Sequence, residues 1–304
     1  MGRNLTRAVV AGGTGLVGQR LVAELLKRGA AVTVVTRDPA GAKVPEGAAA
    51  RSYGELAAAM EGAEAVFNLA GASIAGKRWS EAYQQKLVES RTITTARLVE
   101  AIGRCAVKPK VLVNASAIGW YGPRSAEPID ETAGPGSTFL ARLCMDWEAA
   151  ADGASTLGLR VVKLRTGVVL AKEGGALPKM AFPVKVFQGA KLGRGDQGFS
   201  WIHIDDLVAM YLLAATDEAW TGAINATAPE PLSNEAFTRL LGRQLHRPIL
   251  PIPGFITAAA LKALVGGMSA ELLEGAYILP EKARSLGFAF RFKTADAALG
   301  DLIP

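Results

Sequence analysis

Along the first forty residues the apolar positions change period twice. Ala8, Val9 and Val10 form an unbroken apolar run, Leu16, Val17, Leu21, Val22 and Leu25 recur at helical spacing, and Ala31 to Val35 is again a short apolar run. A brief continuous run suits a buried strand and the spaced set suits one face of a helix, so Arg7 to Arg37 predicts strand, turn, amphipathic helix and strand. The alternation continues. A loop with Pro39, Gly41, Pro45 and Gly47 is expected over Asp38 to Ala50, a small helix over Tyr53 to Met60, and a third strand over Ala65 to Leu69. A long helical pattern then runs to Ile102, with Ser80 as its N-cap and Glu81 at the positive end of its dipole. Val111 to Ala115 reads as a fourth strand, Pro123 to Gly136 as a Pro- and Gly-rich loop, about Ser137 to Ala154 as a helix and Leu159 to Leu164 as a fifth strand. Such alternation argues for an α/β, Rossmann-type doubly wound parallel sheet with ligands at the carboxyl ends of its strands.

The second half is less regular. A helix containing Pro183 is expected within Gly174 to Gly189, a loop or hairpin over Lys191 to Ile204, and a helix over Leu207 to Ala215 with Asp205 and Asp206 at its start. Ile224 to Thr227 is expected to return to the main sheet. Ser233-Asn234-Glu235 offers a cap for a helix to Leu245, and two short helices, Thr257 to Val265 and Pro280 to Leu286, are expected around Gly266-Gly267. The expected division is a dinucleotide-binding domain over 1–170, rejoined by 204–228, and a smaller C-terminal substrate lobe made of 171–203 and 229–304.

The turn after the first strand carries Gly12, Gly13, Gly15 and Gly18, which fit both G-x-G-x-x-G and G-x-x-G-x-x-G. An early glycine permits the tight turn, Gly15 lets backbone approach a pyrophosphate, and Gly18 lets the helix sit close to the sheet. NAD-preferring sites place a carboxylate about 20 residues further on, whereas Arg there accommodates a 2′-phosphate. This chain has Thr36 and Arg37, with Asp38 only after them. The order favours NADP(H) over NAD(H), because a guanidinium meets phosphate with a planar fork of donors.

Length and composition restrict the rest. Half of the 304 residues are hydrophobic, a fifth are charged, and the formal charge of +6 is spread without a long basic run. That excess suits an anionic ligand better than nucleic acid. Cys105 and Cys144 lie in expected helices and form no CxxC, so neither a disulfide framework nor a metal site is expected. With no apolar run near 18 residues and a first strand close to the N-terminus, a cytoplasmic protein without membrane association is expected. A small-molecule substrate is the expected partner, and a homo-oligomer is left open.

Seven stretches together carry a resemblance: GGTGLVG, NLAG at Asn68 to Gly71, KRWSEAYQQKLVESR at Lys77 to Arg91, SAIGWYG at Ser116 to Gly122, LRTGVVL at Leu164 to Leu170, WIHIDD at Trp201 to Asp206 and LPEKARSLGFAF at Leu279 to Phe290. Over essentially its whole length the chain resembles the extended and atypical short-chain dehydrogenase/reductase superfamily, in the nucleoside-diphosphate-sugar epimerase-like branch with a small uncharacterised C-terminal domain. The resemblance implies an NADP(H)-binding Rossmann domain. The cofactor contacts expected on this basis and from the turn chemistry are Gly12, Thr14, Gly15, Leu16, Val17 and Gly18, then Thr36 and Arg37, then Leu69, Ala70 and Gly71, and finally Arg91, Ala115, Ser116 and Arg142.

The family's proton chemistry does not carry over. Its members place Ser or Thr four residues before the Tyr-Gly pair, and a Tyr-x-x-x-Lys pair on the next helix; the Tyr exchanges a proton while the Lys lowers its pKa. Here those places hold Ala117, Phe139 and Leu143. Ser116 and Tyr121 are the remaining catalytic candidates, each with a packing or turn role as the alternative. Arg91 and Arg142 stand between cofactor contact and ion pairing, Lys77, Arg78 and Trp79 between anion contact and a solvated helix start, and Arg194 between substrate phosphate and a loop ion pair. His203 is expected to hydrogen-bond within the fold near Asp205 or Asp206, and His246 to end a surface helix. Two functions follow: hydride transfer, as an epimerase or oxidoreductase, on a hydroxyl or carbonyl substrate such as a nucleotide sugar, or a catalytically depleted NADP(H) sensor with a protein partner.

Overall fold

The computed structural model describes residues 4–124 and 126–303; position 125 of the expected Pro123–Gly136 loop and the chain ends lie outside the described residues. Strands β1 (Arg7–Ala11), β2 (Ala31–Thr36), β3 (Ala49–Ser52), β4 (Ala65–Asn68), β5 (Val111–Ala117) and β6 (Arg160–Thr166) pair in parallel. The segment Gly222–Ala226 adds a seventh strand beside β6, so the spatial order is 3-2-1-4-5-6 followed by this strand. The order reverses between β1 and β4, which is where a doubly wound sheet opens a ligand crevice.

Helices cover both faces. On one face α1 (Leu16–Lys27) lies beside the later helix Ile204–Thr216, over Val10, Val34, Phe67 and Val113. On the other, α2 (Leu56–Met60) and α3 (Glu81–Gly103) join α4 (Phe139–Asp152) over Val9, Val66 and Leu112. Successive strand residues face opposite sides, so the near-continuous apolar strands are required by this double cover. Ser80 caps α3 as expected, its Oγ accepting from the Tyr83 N–H at 3.2 Å.

A separate core forms around Leu177, Trp201, Phe237, Leu241 and Leu299. After β6 the chain forms β7 (Val168–Leu170), α5 (Leu177–Lys185), β8 (Gly198–Phe199), β9 (Trp201–His203), α6 (Ile204–Thr216), β10 (Gly222–Ala226), β11 (Leu232–Ser233) and α7 (Asn234–Gln244), of which α6 and β10 serve the main sheet. Then follow α8 (Gly254–Val265), α9 (Met268–Leu273), α10 (Glu281–Ser285) and α11 (Ala295–Leu302).

Four expectations are corrected. Ala49 and Ala50 belong to the edge strand β3, not the preceding loop. Of the loop or hairpin expected over 191–204, residues 191–197 are loop, while 198–203 form no hairpin, because β8 pairs with β11 and β9 with β7. Gly266-Gly267 is followed at once by α9, and α11 was not expected at all. Cys105 falls just beyond α3, though it is buried like Cys144.

Candidate functional site

The crevice is shaped by backbone contact between the turns after β1 and β4. The Leu69 N–H donates to the Ala11 carbonyl at 2.8 Å. A Cβ on Gly12, whose φ is +79°, would lie 2.6 Å from the Leu69 carbonyl carbon. Gly18 is held as tightly, since its Cβ would meet the Gly12 carbonyl oxygen at 2.3 Å. Gly15 is different: the nearest atom to its Cβ is the Gly12 oxygen at 3.4 Å, an ordinary contact, and the rest of that space is open. Gly15 is also the N-cap of α1, with no capping side chain and no acidic residue in the first turn. The N–H groups opening α1, at Leu16 and Val17, and the positive end of its dipole therefore meet no competing protein anion, which fits a pyrophosphate. Leu16 itself packs beneath Gly174 and Gly175, while Thr14 is exposed and its carbonyl accepts from Gln19.

At the end of β2 the competition between Arg37 and Asp38 has a geometric answer. Asp38 turns into its own loop, where Oδ1 accepts the Gly41 N–H at 3.0 Å. Arg37 is exposed and enters none of the ion pairs among the described residues, and Thr36 lies half-buried beside it. A guanidinium, not a carboxylate, is thus available where a ribose 2′ position is expected.

Behind the β4 turn lies a buried amide network. Asn68 Nδ2 donates to Asn114 Oδ1 at 2.6 Å and to Thr95 Oγ1 at 2.8 Å, and its Oδ1 accepts the Ala70 N–H at 3.2 Å. Arg91 supports the same turn from beneath. It is buried, donates to the carbonyls of Leu87 and Ala72, both at 3.1 Å, and lies so close to Gly71 that a Cβ there would be 3.1 Å from its guanidinium carbon. Burial depresses its pKa. Leu69, Ala70 and Gly71 are thereby presented beside the glycine turn, with Arg91 behind them. Arg142, by contrast, is exposed and donates to the Ser137 carbonyl at the start of its own helix.

Ala115 and Ser116 end the next strand, but Ser116 and Tyr121 are both tied inward. Ser116 Oγ donates to Glu148 Oε1 at 2.7 Å. Glu148 holds Arg165 in a two-pronged pair, at 2.8 Å and 2.9 Å, and Arg165 donates onward to Tyr121 Oη at 3.1 Å. Tyr121 Oη donates to Asn225 Oδ1 at 2.7 Å, and Asn225 Nδ2 donates to the Leu279 carbonyl. The Arg165 guanidinium is stacked 3.4 Å from the Trp120 ring. Tyr121 is fully buried, and burial, partly opposed by Arg165, pushes its phenol above the ordinary range. The phenol donates in one direction and accepts in the other, and so connects β10 to the Arg165–Glu148 pair.

The places of the missing Tyr-x-x-x-Lys pair are apolar. Phe139 meets the Trp79 ring edge-on at 5.3 Å, and Leu143 is buried with Trp79, Leu87 and Met268. Trp79 Nε1 donates to the Ile74 carbonyl, Lys77 is exposed, and Arg78 lies alongside Gly266. The neighbouring Cys144 is no substitute nucleophile, because burial, with Glu148 adding to it, pushes its thiol up to about 12.

The remaining candidates make these contacts. Arg194 is exposed and pairs with Asp196 two residues on. His203 is buried, stacks on Phe292, and accepts the Asp205 N–H at its Nδ1, while Asp206 accepts the N–H groups of Arg291 and Phe292. The WIHIDD stretch therefore fastens the C-terminal segment to the sheet domain. His246 follows the end of α7 on the surface. Among the described residues no group of His, Cys, Asp or Glu is arranged to hold a metal ion, and no helix is long and apolar enough to cross a membrane.

Sequence reasoning passed over Thr95, Asn114, Glu148 and Asn225 and gave Asn68 and Arg165 no role. A signal existed for the three amides: Asn68 ends, and Asn114 and Asn225 interrupt, strands of small and apolar residues, and a polar side chain buried in a sheet must find partners.

The family described as NAD dependent epimerase/dehydratase matches residues 8–226, and a domain of unknown function, DUF1731, matches residues 256–302. The Arabidopsis thaliana epimerase family protein SDR39U1 homolog, chloroplastic, is 39% identical over 299 residues, covering 95% of this chain and 84% of that protein. The crystal structure of human epimerase family protein SDR39U1 (isoform 2) with NADPH is similar at a TM-score of 0.87 and 33% identity, over 98% of this chain and 99% of that one. A nucleoside-diphosphate sugar epimerase from Corynebacterium glutamicum is similar at a TM-score of 0.77 and 31% identity, over 98% of this chain but 58% of that one. The sheet order, the glycine turn and a family match spanning most of the length agree, and this chain belongs to the NAD-dependent epimerase/dehydratase family.

Proposed function

We propose that this protein binds NADP(H) in the crevice between β1 and β4 and uses the bound dinucleotide as a regulatory ligand, without the family's Tyr–Lys proton relay. The observation that carries the reading is the pairing of an open Gly15 cradle with an uncommitted Arg37 and a turned-away Asp38. The α1 N-terminus would hold the pyrophosphate, Arg37 the 2′-phosphate, and Leu69 to Gly71 would border the ligand from the β4 side. The NADPH in the crystal of the human relative supports the same choice of cofactor. When bound, that cofactor supplies a hydride at its nicotinamide. What supports a regulatory use is the residue set around the expected proton donor: Phe139 and Leu143 pack with Trp79 and Met268, and the Tyr121 phenol is spent on Asn225 and Arg165.

A second reading, hydride transfer on a small hydroxyl or carbonyl compound, is favoured by one observation. Ser116 lies one residue from the carboxyl end of β5, paired with Arg165 of β6, with the Glu148–Arg165 pair behind its hydroxyl. Titration of the protein with NADPH and NADH, followed by cofactor oxidation in the presence of a panel of carbonyls and nucleotide sugars, tests both. Tight NADPH binding without turnover supports the first reading; turnover lost in Ser116→Ala supports the second.

A further inference from the structure

A second concave face lies on the C-terminal lobe, and nothing in the dinucleotide site uses it. It is a groove of about 1000 Å³ between α7 and the 247–254 segment. Its polar lining is Lys191, Arg239, Arg243 and Arg247 against a single carboxylate, Glu235, while Leu240, Ile249 and Ile252 supply apolar floor. Glu235 is shared by Lys191 at 3.0 Å and Arg239 at 2.7 Å, and Arg243 reaches out to Asp296 at 3.2 Å. Arg247 has no carboxylate partner among the described residues and lies over the Phe187 ring at 4.7 Å. The groove therefore carries a surplus of positive charge.

The groove continues onto exposed apolar surface. Of the large hydrophobic residues left exposed among the described residues, all but Ile93 and Val107 lie between positions 182 and 272. Helix α8 leaves the groove at Gly254 and contains no buried residue; its Phe255 is 77% exposed and its Leu264 76%. Phe187 and His246, beside the groove, are the two non-glycine residues with positive φ among those described, at 61° and 53°. Each closes a helix in the left-handed conformation: the Phe187 and Gln188 N–H groups donate to the Val184 and Pro183 carbonyls at the end of α5, and those of His246 and Arg247 to the Arg243 and Gly242 carbonyls at the end of α7, so two helix ends border the groove.

We propose that this face docks an acidic amphipathic segment of a partner protein, laid into the groove with carboxylates toward Arg239, Arg243 and Arg247 and apolar side chains toward Ile249, Ile252 and Phe255. Charge decides against a second copy, because a two-fold interface sets each patch against itself and would face cations with cations. Shape decides against a lipid surface, which is locally flat and leaves a concave floor unfilled. Size agrees with a helix: two turns, roughly 10 Å across and 11 Å long, occupy roughly 850 Å³. Helix-in-groove recognition with carboxylate–Arg pairs at the rim supplies the chemistry. The inference goes beyond the cofactor reading and stands independently of it.

The test uses the full chain and a fluorescein-labelled synthetic helix carrying Glu on one face and Leu and Phe at i, i+3, i+4 and i+7 on the other. Fluorescence anisotropy is expected to show saturable binding that weakens about tenfold from low to high salt. The triple variant Arg239→Ala, Arg243→Ala, Arg247→Ala should bind about tenfold or more weakly, and Ile252→Ser with Phe255→Ser should weaken binding while keeping its salt dependence. Circular dichroism and NADPH titration establish that the variants are folded. No binding of the acidic helix, equal binding by the triple variant, or preference for phosphatidylserine vesicles or for a second copy of the chain would overturn the proposal.

Discussion

Two neighbouring glycines make opposite predictions. In Gly15→Ala the new methyl meets nothing nearer than the Gly12 oxygen at 3.4 Å, and φ −80°, ψ 170° is ordinary for alanine. Loss of chain entropy from the unfolded state favours the variant by about 0.4–1 kcal/mol, and alanine's poorer capping opposes it by about 0.5–1 kcal/mol. Stability without ligand should stay within about 0.5 kcal/mol of wild type. In Gly18→Ala the methyl would sit 2.3 Å from a backbone oxygen, so helix and turn must separate, at about 1–3 kcal/mol. For NADPH the order reverses in cause. The Gly15 methyl occupies the approach to the first N–H groups of α1 and should cost at least one charged hydrogen bond, about 1.5–3 kcal/mol, or about tenfold to a hundredfold in Kd. Urea unfolding without ligand and calorimetric titration with NADPH measure the two quantities separately. Gly15→Ala binding NADPH as tightly as wild type, or unfolding as early as Gly18→Ala, would refute the assignment of Gly15 to the phosphate cradle.

Three other outcomes are expected. Arg37→Ala should weaken NADPH by about 1.5–3 kcal/mol and leave NADH unchanged, as read by parallel titrations; equal losses would mean that Arg37 does not read the 2′-phosphate. Glu148→Ala leaves the Arg165 guanidinium, with 6% of its side chain exposed, buried without its carboxylate, and should cost about 3–5 kcal/mol in urea unfolding. His203 is held below its ordinary pKa, first by burial, and its Nδ1 must stay unprotonated to accept from Asp205. A depressed folded pKa means stability present above the unfolded value of about 6.5 and lost as pH falls below it. Melting curves of wild type should therefore drop more steeply from neutral to acid pH than those of His203→Asn, whose side chain also caps but does not titrate; parallel slopes would exclude His203.

The sheet domain was legible because its apolar period changes at each boundary, from the run at Val9 to the spacing of Leu21 and Leu25 and back to Val34. Ala49–Ser52 was not, since an edge strand of small and polar residues paired only with β2 carries no such period. Two- and three-residue strands such as β8 and β9 leave partner choice to tertiary packing. At the site, the glycine turn was legible because its geometry is local to one strand–helix junction. The Ser116–Glu148–Arg165–Tyr121–Asn225 chain was not, because its partners are up to 104 residues apart.

This chain keeps the glycine turn and holds Phe139 and Leu143 where a Tyr-x-x-x-Lys pair is expected. Stopped-flow mixing of the NADPH-loaded protein with carbonyl compounds and nucleotide sugars, read at the reduced nicotinamide absorbance, puts that combination to the test. Saturable NADPH binding, about tenfold or more tighter than NADH, is expected, with no oxidation of bound cofactor by any member of the panel. Oxidation that is saturable in a substrate and abolished by Ser116→Ala or Tyr121→Phe would contradict it.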